Sequence, residues 1–234
     1  MASQSEKTFG SRIYNAEQLA TNLATFTGYV PLTPETSAAS YSAFISELKT
    51  NNTAIATAQS NFSIAVDARQ NLFQKSPTSL VKTLPPILAF VKAKFGKQSQ
   101  QAEEITRLVN NIRGESTSKL KRNEEGEFVS QSHRSYGSQT QYFADIIATL
   151  ESFGTDYTPT NTAITLENLS LKLDALNQAN MEVTTTFSQL KPIKGARITN
   201  YDTLSQRAQT IKDSVKSQYG TQSPEYVLIK GYKI

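Results

Sequence analysis

The residues that open the chain return just past its midpoint. Ser3-Gln4-Ser5 followed by Phe9-Gly10-Ser11 recurs as Ser130-Gln131-Ser132 followed by Tyr136-Gly137-Ser138, at a spacing of 127. A self-match at one long period constrains the fold more than any local propensity, because it says that one structural unit is made twice. Leu19, Leu23 and Phe26 continue the match against Ile146, Leu150 and Phe153. After a slip to a spacing of 125, Thr33-Pro34 meets Thr158-Pro159, and Phe44, Leu48 and Phe62 meet Leu169, Leu173 and Phe187. Ala68-Arg69 and Phe73 then echo Ala196-Arg197 and Tyr201. Val91-Lys92, Phe95-Gly96, Ser99 and Ile105 echo Val215-Lys216, Tyr219-Gly220, Ser223 and Ile229. The chain reads as two helical repeats, 2–128 and 129–234, packed as one bundle, with a mixed-charge linker over about 114–128.

Within each repeat the apolar spacing is helical. Ile13, Ala16, Leu19, Ala20, Leu23 and Phe26 predict a first helix over about 12–27, ending near Gly28. Thr33-Pro34 and Thr158-Pro159 read as N-cap and first helical residue of a long second helix, about 35–73 in the first repeat, interrupted on its apolar face by Asn51 and Asn52. In the second repeat Pro192 is expected to end or kink this helix. A third helix from Ser76-Pro77 should stop at Gly96 as a left-handed cap, and its counterpart, carrying Leu204 to Tyr219, at Gly220. Pro85-Pro86 should kink or restart the first of these. One repeat leaves part of an apolar face uncovered, so the fold class expected is all-α: an elongated, four-helix-bundle-like assembly of two tandem repeats with pseudo-twofold symmetry.

Composition narrows the chemistry. The 234 residues contain no Cys and one His, His133, which excludes disulfide scaffolds, Cys nucleophiles and nearly all His-based metal clusters. The place of His133 is taken by Glu6 in the first repeat, so a role common to both repeats cannot need imidazole. Glu103-Glu104 and Glu124-Glu125 are neighbours and point to different helix faces, whereas acid–base catalysis needs carboxylates that converge. Neither an E-x-x-H pair nor a phosphate-cradling glycine motif occurs. We therefore expect no enzyme, no catalytic residue, no metal and no cofactor.

Charge points weakly to partners. The net charge is +4, and it sits in the first repeat, where residues 9–113 hold ten Lys+Arg against six Asp+Glu; residues 136–234 hold nine of each. Lys82, Lys92, Lys94 and Lys97 form the candidate basic patch, although cations also suit a helix C-terminus. Charged residues make up 19% of the chain and roughly a third is Ser, Thr, Asn or Gln, a polar surface that repels its like only weakly. The longest apolar stretch, 84–91, is too short to span a membrane and holds two prolines. No secretory leader is read at the N-terminus, so cytoplasm is the default compartment, with dedicated export left open.

The segments Ser3, Gln4, Ser5 to Phe9 and Ser130, Gln131, Ser132 to Tyr136 are candidate assembly arms, because a polar leader has no reason to look alike twice. Local N-capping by Ser11 and Ser138 is the alternative. The tail with Tyr226, Val227, Leu228, Ile229 and Tyr232 is too apolar to float; it folds back or binds a partner. The expected function is thus a structural helical protein that assembles with copies of itself or other protein subunits, into a higher-order array or filament. Alternatives are a nucleic-acid-associated protein using the basic third helix and a small-molecule-binding bundle.

The segments Phe128-Val129-Ser130-Gln131-Ser132-His133-Arg134-Ser135-Tyr136, Asp156-Tyr157-Thr158-Pro159, Ala196-Arg197, Tyr219-Gly220-Thr221-Gln222-Ser223-Pro224-Glu225-Tyr226 and Lys230-Gly231 resemble those of bacterial helical proteins, chiefly of Bacteroidota, over most of the chain. No activity is assigned to that group. The resemblance implies a bacterial, duplicated helical fold and no site residue.

Overall fold

The computed structural model describes residues 8–114 and 135–234, and among these every regular element is helical. The helices are α1 Phe9–Thr25, α2 Ala38–Gln70, α3 Leu80–Phe95, α4 Gln100–Arg113, α5 Tyr136–Ser152, α6 Leu166–Tyr219 and α7 Pro224–Ile229. The chain divides into two compact units, one of residues 1–60 with 188–234 and the other of residues 61–187. Each unit draws on both halves of the sequence: α1 meets the second half of α6, and α5 packs on α4, which packs on α3.

In the first unit the core is one face from each helix: Ile13, Ala16, Leu19 and Leu23 of α1, Tyr41, Ile45 and Leu48 of α2, Leu204, Ala208, Ile211 and Val215 of α6, closed by Ile229 of α7. The second unit has Leu80, Leu84, Ile87 and Val91 of α3, Ile105, Leu108, Val109 and Ile112 of α4, and Phe143, Ile146, Ile147 and Leu150 of α5. The spacings of three and four are those of a helix burying one stripe, and each buried Leu, Ile, Val or Phe contributes about 1.5–3 kcal/mol.

Helices α1, α4, α5 and α7 start at hydroxyl caps. Thr8 accepts from the Ser11 amide at 3.2 Å and Ser135 from the Ser138 amide at 3.0 Å. Ser99 and Ser223 do the same for α4 and α7, each at 3.1 Å. Thr8 and Ser135 are therefore the caps, and the serines expected in that role, Ser11 and Ser138, donate the capped amides. Aromatic-Gly-Ser in each repeat is the first turn of a helix.

The middle of the two repeats pairs differently from the expectation. The N-caps of two short 3₁₀ turns, Thr33 and Asn161, stand 128 apart, as do Tyr29 and Tyr157, whose hydroxyls donate to the carbonyls of Thr36 and Ile164. The buried pairs Tyr41 and Leu169, Leu48 and Leu176, and Ile55 and Val183 keep that spacing of 128. A register of 125 fits the apolar stripe nearly as well, because three residues is close to one helical turn. Thr158-Pro159 consequently lies in coil and starts no helix.

Past Phe73 and Tyr201 the spacing of buried positions drops to 124, with Leu80 against Leu204 and Val91 against Val215. The extra residues of the first repeat are a break. α2 passes into a π-turn, Asn71–Lys75, closed by the Ser76 amide on the Asn71 carbonyl at 3.0 Å. Pro77 holds Ser76 extended (φ −60°, ψ 146°) and stops the helix. No such break follows Tyr201, and α6 runs on as one helix of 54 residues.

Pro192 therefore does not end the helix; it is exposed on α6 between buried Leu190 and Tyr201. Pro85 and Pro86 likewise lie inside one helix, α3, whose Leu84 and Ile87 are fully buried beside them. Gly96 does stop α3, but at φ 95° and ψ 151°; the left-handed cap is Gly114, after α4 (φ 72°, ψ 23°). α4 and α7 answer to no helix expected above.

Candidate interaction segments

Of the proposed arms, Ser3, Gln4, Ser5, Ser130, Gln131 and Ser132 lie outside the described residues, as do His133 and the linker beyond Gly114. The described ends of both arms are packed within the chain. The Phe9 ring lies 4.6 Å from that of Tyr201, and the Tyr136 ring 4.7 Å from that of Phe73. An arginine covers each aromatic: Arg197 stands 4.3 Å from the centre of the Phe9 ring, Arg69 4.1 Å from that of Tyr136. These contacts give the repeated Ala-Arg pair a purpose, since a guanidinium over an aromatic face is favourable by about 0.5–2 kcal/mol, more as it is desolvated.

A hydroxyl relay sits under each anchor. Asn52 donates to the Tyr201 hydroxyl at 2.6 Å, which in turn donates to the Phe9 carbonyl at 3.3 Å. In the other unit Asn180 donates to the Thr140 hydroxyl at 3.1 Å, which donates to the Tyr136 carbonyl at 2.8 Å. Asn52 looked like a defect in an apolar stripe; it is the start of this relay. The second unit makes the relay with a threonine where the first uses a tyrosine, so residue matching alone could not reveal it. The Nε atoms of Arg69 and Arg197 and the Oδ1 atoms of Asn52 and Asn180 are buried without a hydrogen-bond partner among the described residues.

The C-terminal tail folds back on the first unit. Ile229 is fully buried, and Tyr226 and Tyr232 pack against the same core. Asn22 donates to the Tyr232 hydroxyl at 2.8 Å, Asn15 to the Lys233 carbonyl at 2.8 Å, and Ser205 to the Ile234 carbonyl at 2.9 Å. Lys212 donates to the Tyr232 carbonyl, and burial pushes its ammonium below the usual lysine range, an effect that Asp213 partly offsets. Leu228 points outward.

The four lysines of the basic patch do not form one stripe. Twelve residues at 100° each place Lys94 about 120° around α3 from Lys82, with Lys92 about 80° the other way. Lys94 pairs with Asp156 at 3.1 Å, and Lys97 lies beyond the end of the helix. Among the described residues no group of three His, Cys, Asp or Glu side chains converges, and no helix is long and apolar enough to cross a membrane. Comparison with protein-family models, with curated proteins and with solved structures finds no match.

Proposed function

We propose that this chain is a non-enzymatic structural protein that associates with further copies of itself, and that the outer face of α7 is the contact. One observation carries the reading: α7 is apolar on both sides. Ile229 is fully buried in the core, while Val227 and Leu228 next to it are 45% and 53% exposed. Adjoining large apolar side chains left exposed mark a surface that a protein partner can cover. The loop after α1 supports the same end of this unit as the contact. Its Val30 and Leu32 are exposed, and it is tied to the end of α6 by the Val30 amide on Gln218 at 3.0 Å and the Tyr219 hydroxyl on the Thr27 carbonyl at 3.0 Å. The resemblance to Bacteroidota proteins brings no activity with it, so the reading rests on these residues.

Light scattering of the full chain over a concentration series tests it, alongside the double variant Val227→Asp, Leu228→Asp and a chain lacking residues 1–8. A mass above one chain that falls to one chain in the double variant supports α7 as the contact. A multimer abolished only by removing residues 1–8 would move the contact to the N-terminal arm. A monomer at every concentration would end the self-association reading.

A further inference from the structure

The second unit contains a cleft of about 780 Å³ that the assembly reading does not use. It opens between the π-turn, α3, the end of α4 and the first turn of α5. Val81, Pro85 and Ile112 supply apolar wall, Gln74 and Gln139 carboxamides, and Lys82 and Arg113 cations. Among the described residues no carboxylate lines it, and neither cation takes part in an ion pair. Its volume falls within the range of small-molecule sites, which join an apolar wall to a few converging polar groups.

Pro85 adds a second, independent feature. In an α-helix the carbonyl four residues back receives each amide hydrogen, and proline has none to give. The Val81 carbonyl therefore lacks its helical donor, and Val81 and Pro85 both line the cleft. The cleft thus offers cations for an anionic group and a backbone acceptor for a hydroxyl or amine. Gln74 can satisfy either.

We infer that this cleft binds a small organic anion that also carries hydroxyl groups, of the sugar-phosphate or hydroxy-acid class. Lys82 and Arg113 hold the anionic group, the Val81 carbonyl accepts from a hydroxyl, and the ligand's carbon face rests on Pro85 and Ile112. The inference is independent of self-association.

Isothermal titration of the full chain with glucose 6-phosphate, glucose and inorganic phosphate tests it. Binding of glucose 6-phosphate with a Kd on the order of 1 mM or tighter is expected, with each fragment about tenfold weaker. Lys82→Gln and Arg113→Gln should each weaken it about tenfold, as expected for loss of a charge-assisted hydrogen bond. Pro85→Ala returns a donor to the Val81 carbonyl; it should weaken glucose 6-phosphate and leave inorganic phosphate unchanged. Circular dichroism establishes that each variant is folded, and if Arg113→Gln is not, exposed Lys82 carries the test. Glucose bound as tightly as its phosphate, no binding tighter than about 10 mM, or wild-type affinity in Lys82→Gln would overturn the site. Unchanged affinity in Pro85→Ala would overturn the part given to the carbonyl.

Discussion

Asn52 on α2 and Tyr201 on α6, 149 residues apart in sequence, are joined by a 2.6 Å hydrogen bond in which the amide donates to the phenol. The phenol then reaches the backbone of Phe9, so one hydroxyl ties three segments of the first unit together. Tyr201→Phe keeps the ring on Phe9 and removes only this link. The Asn52 amide and the Phe9 carbonyl then lose a partner, and a loss of about 1–3 kcal/mol is expected in urea unfolding. Thr140→Val should do the same in the second unit. Stability unchanged by both would show that the relays contribute nothing.

Tyr157 gives the molecule an alkaline limit. Burial pushes its phenol up to about 12, from an ordinary value of 10 in the unfolded chain. The folded state holds this proton more tightly, so the stabilisation is complete below pH 10 and is lost as pH rises through about 12. Tyr41 is shifted in the same direction by its burial. Tyr157→Phe should flatten the fall in stability over that window while costing about 1 kcal/mol at neutral pH, where the Ile164 carbonyl loses its donor. An identical alkaline profile in wild type and variant would assign the limit elsewhere.

Pro192 stands exposed inside α6 and interrupts its hydrogen-bond ladder. Proline in a helix interior is less favourable than alanine by about 3 kcal/mol, so Pro192→Ala should raise thermal stability. A lower melting temperature would mean that the helix is built around the proline.

The tail is held chiefly by Ile229, which is fully buried. Ile229→Ala should cost about 2–5 kcal/mol and make residues 230–234 cleavable by carboxypeptidase in the otherwise folded protein. Wild-type resistance would show that the polar bonds from Asn15, Asn22, Ser205 and Lys212 suffice.

Much of the helical content was legible because Leu19, Leu23, Leu204 and Leu84 recur at helical spacing in a chain with few competing signals. What escaped has two physical causes. Spacing cannot separate registers that differ by one turn, so Phe44 against Leu169 looked as good as Tyr41 against Leu169. Proline signals end a helix only when nothing else holds it, and buried Leu84, Ile87 and Leu190 hold α3 and α6 across theirs. The anchors Phe9 and Tyr136 were found through their repetition, but their arginine covers and hydroxyl relays needed the third dimension. The cleft escaped because Lys82, Arg113 and Gln139 lie on three different helices.

The division of the chain into units also sets an order of assembly during synthesis. The second unit is one contiguous stretch, residues 61–187, and can close as soon as it leaves the ribosome. The first is made from residues 1–60 and 188–234, so α1 can meet α2 early but meets α6 only after the second unit has been made. Arg12 meets the Tyr201 carbonyl only after 189 residues have been added. At about 5–20 residues per second, the part of the α1 face that α6 covers waits on the order of ten seconds or more, open to wrong apolar contacts in the meantime.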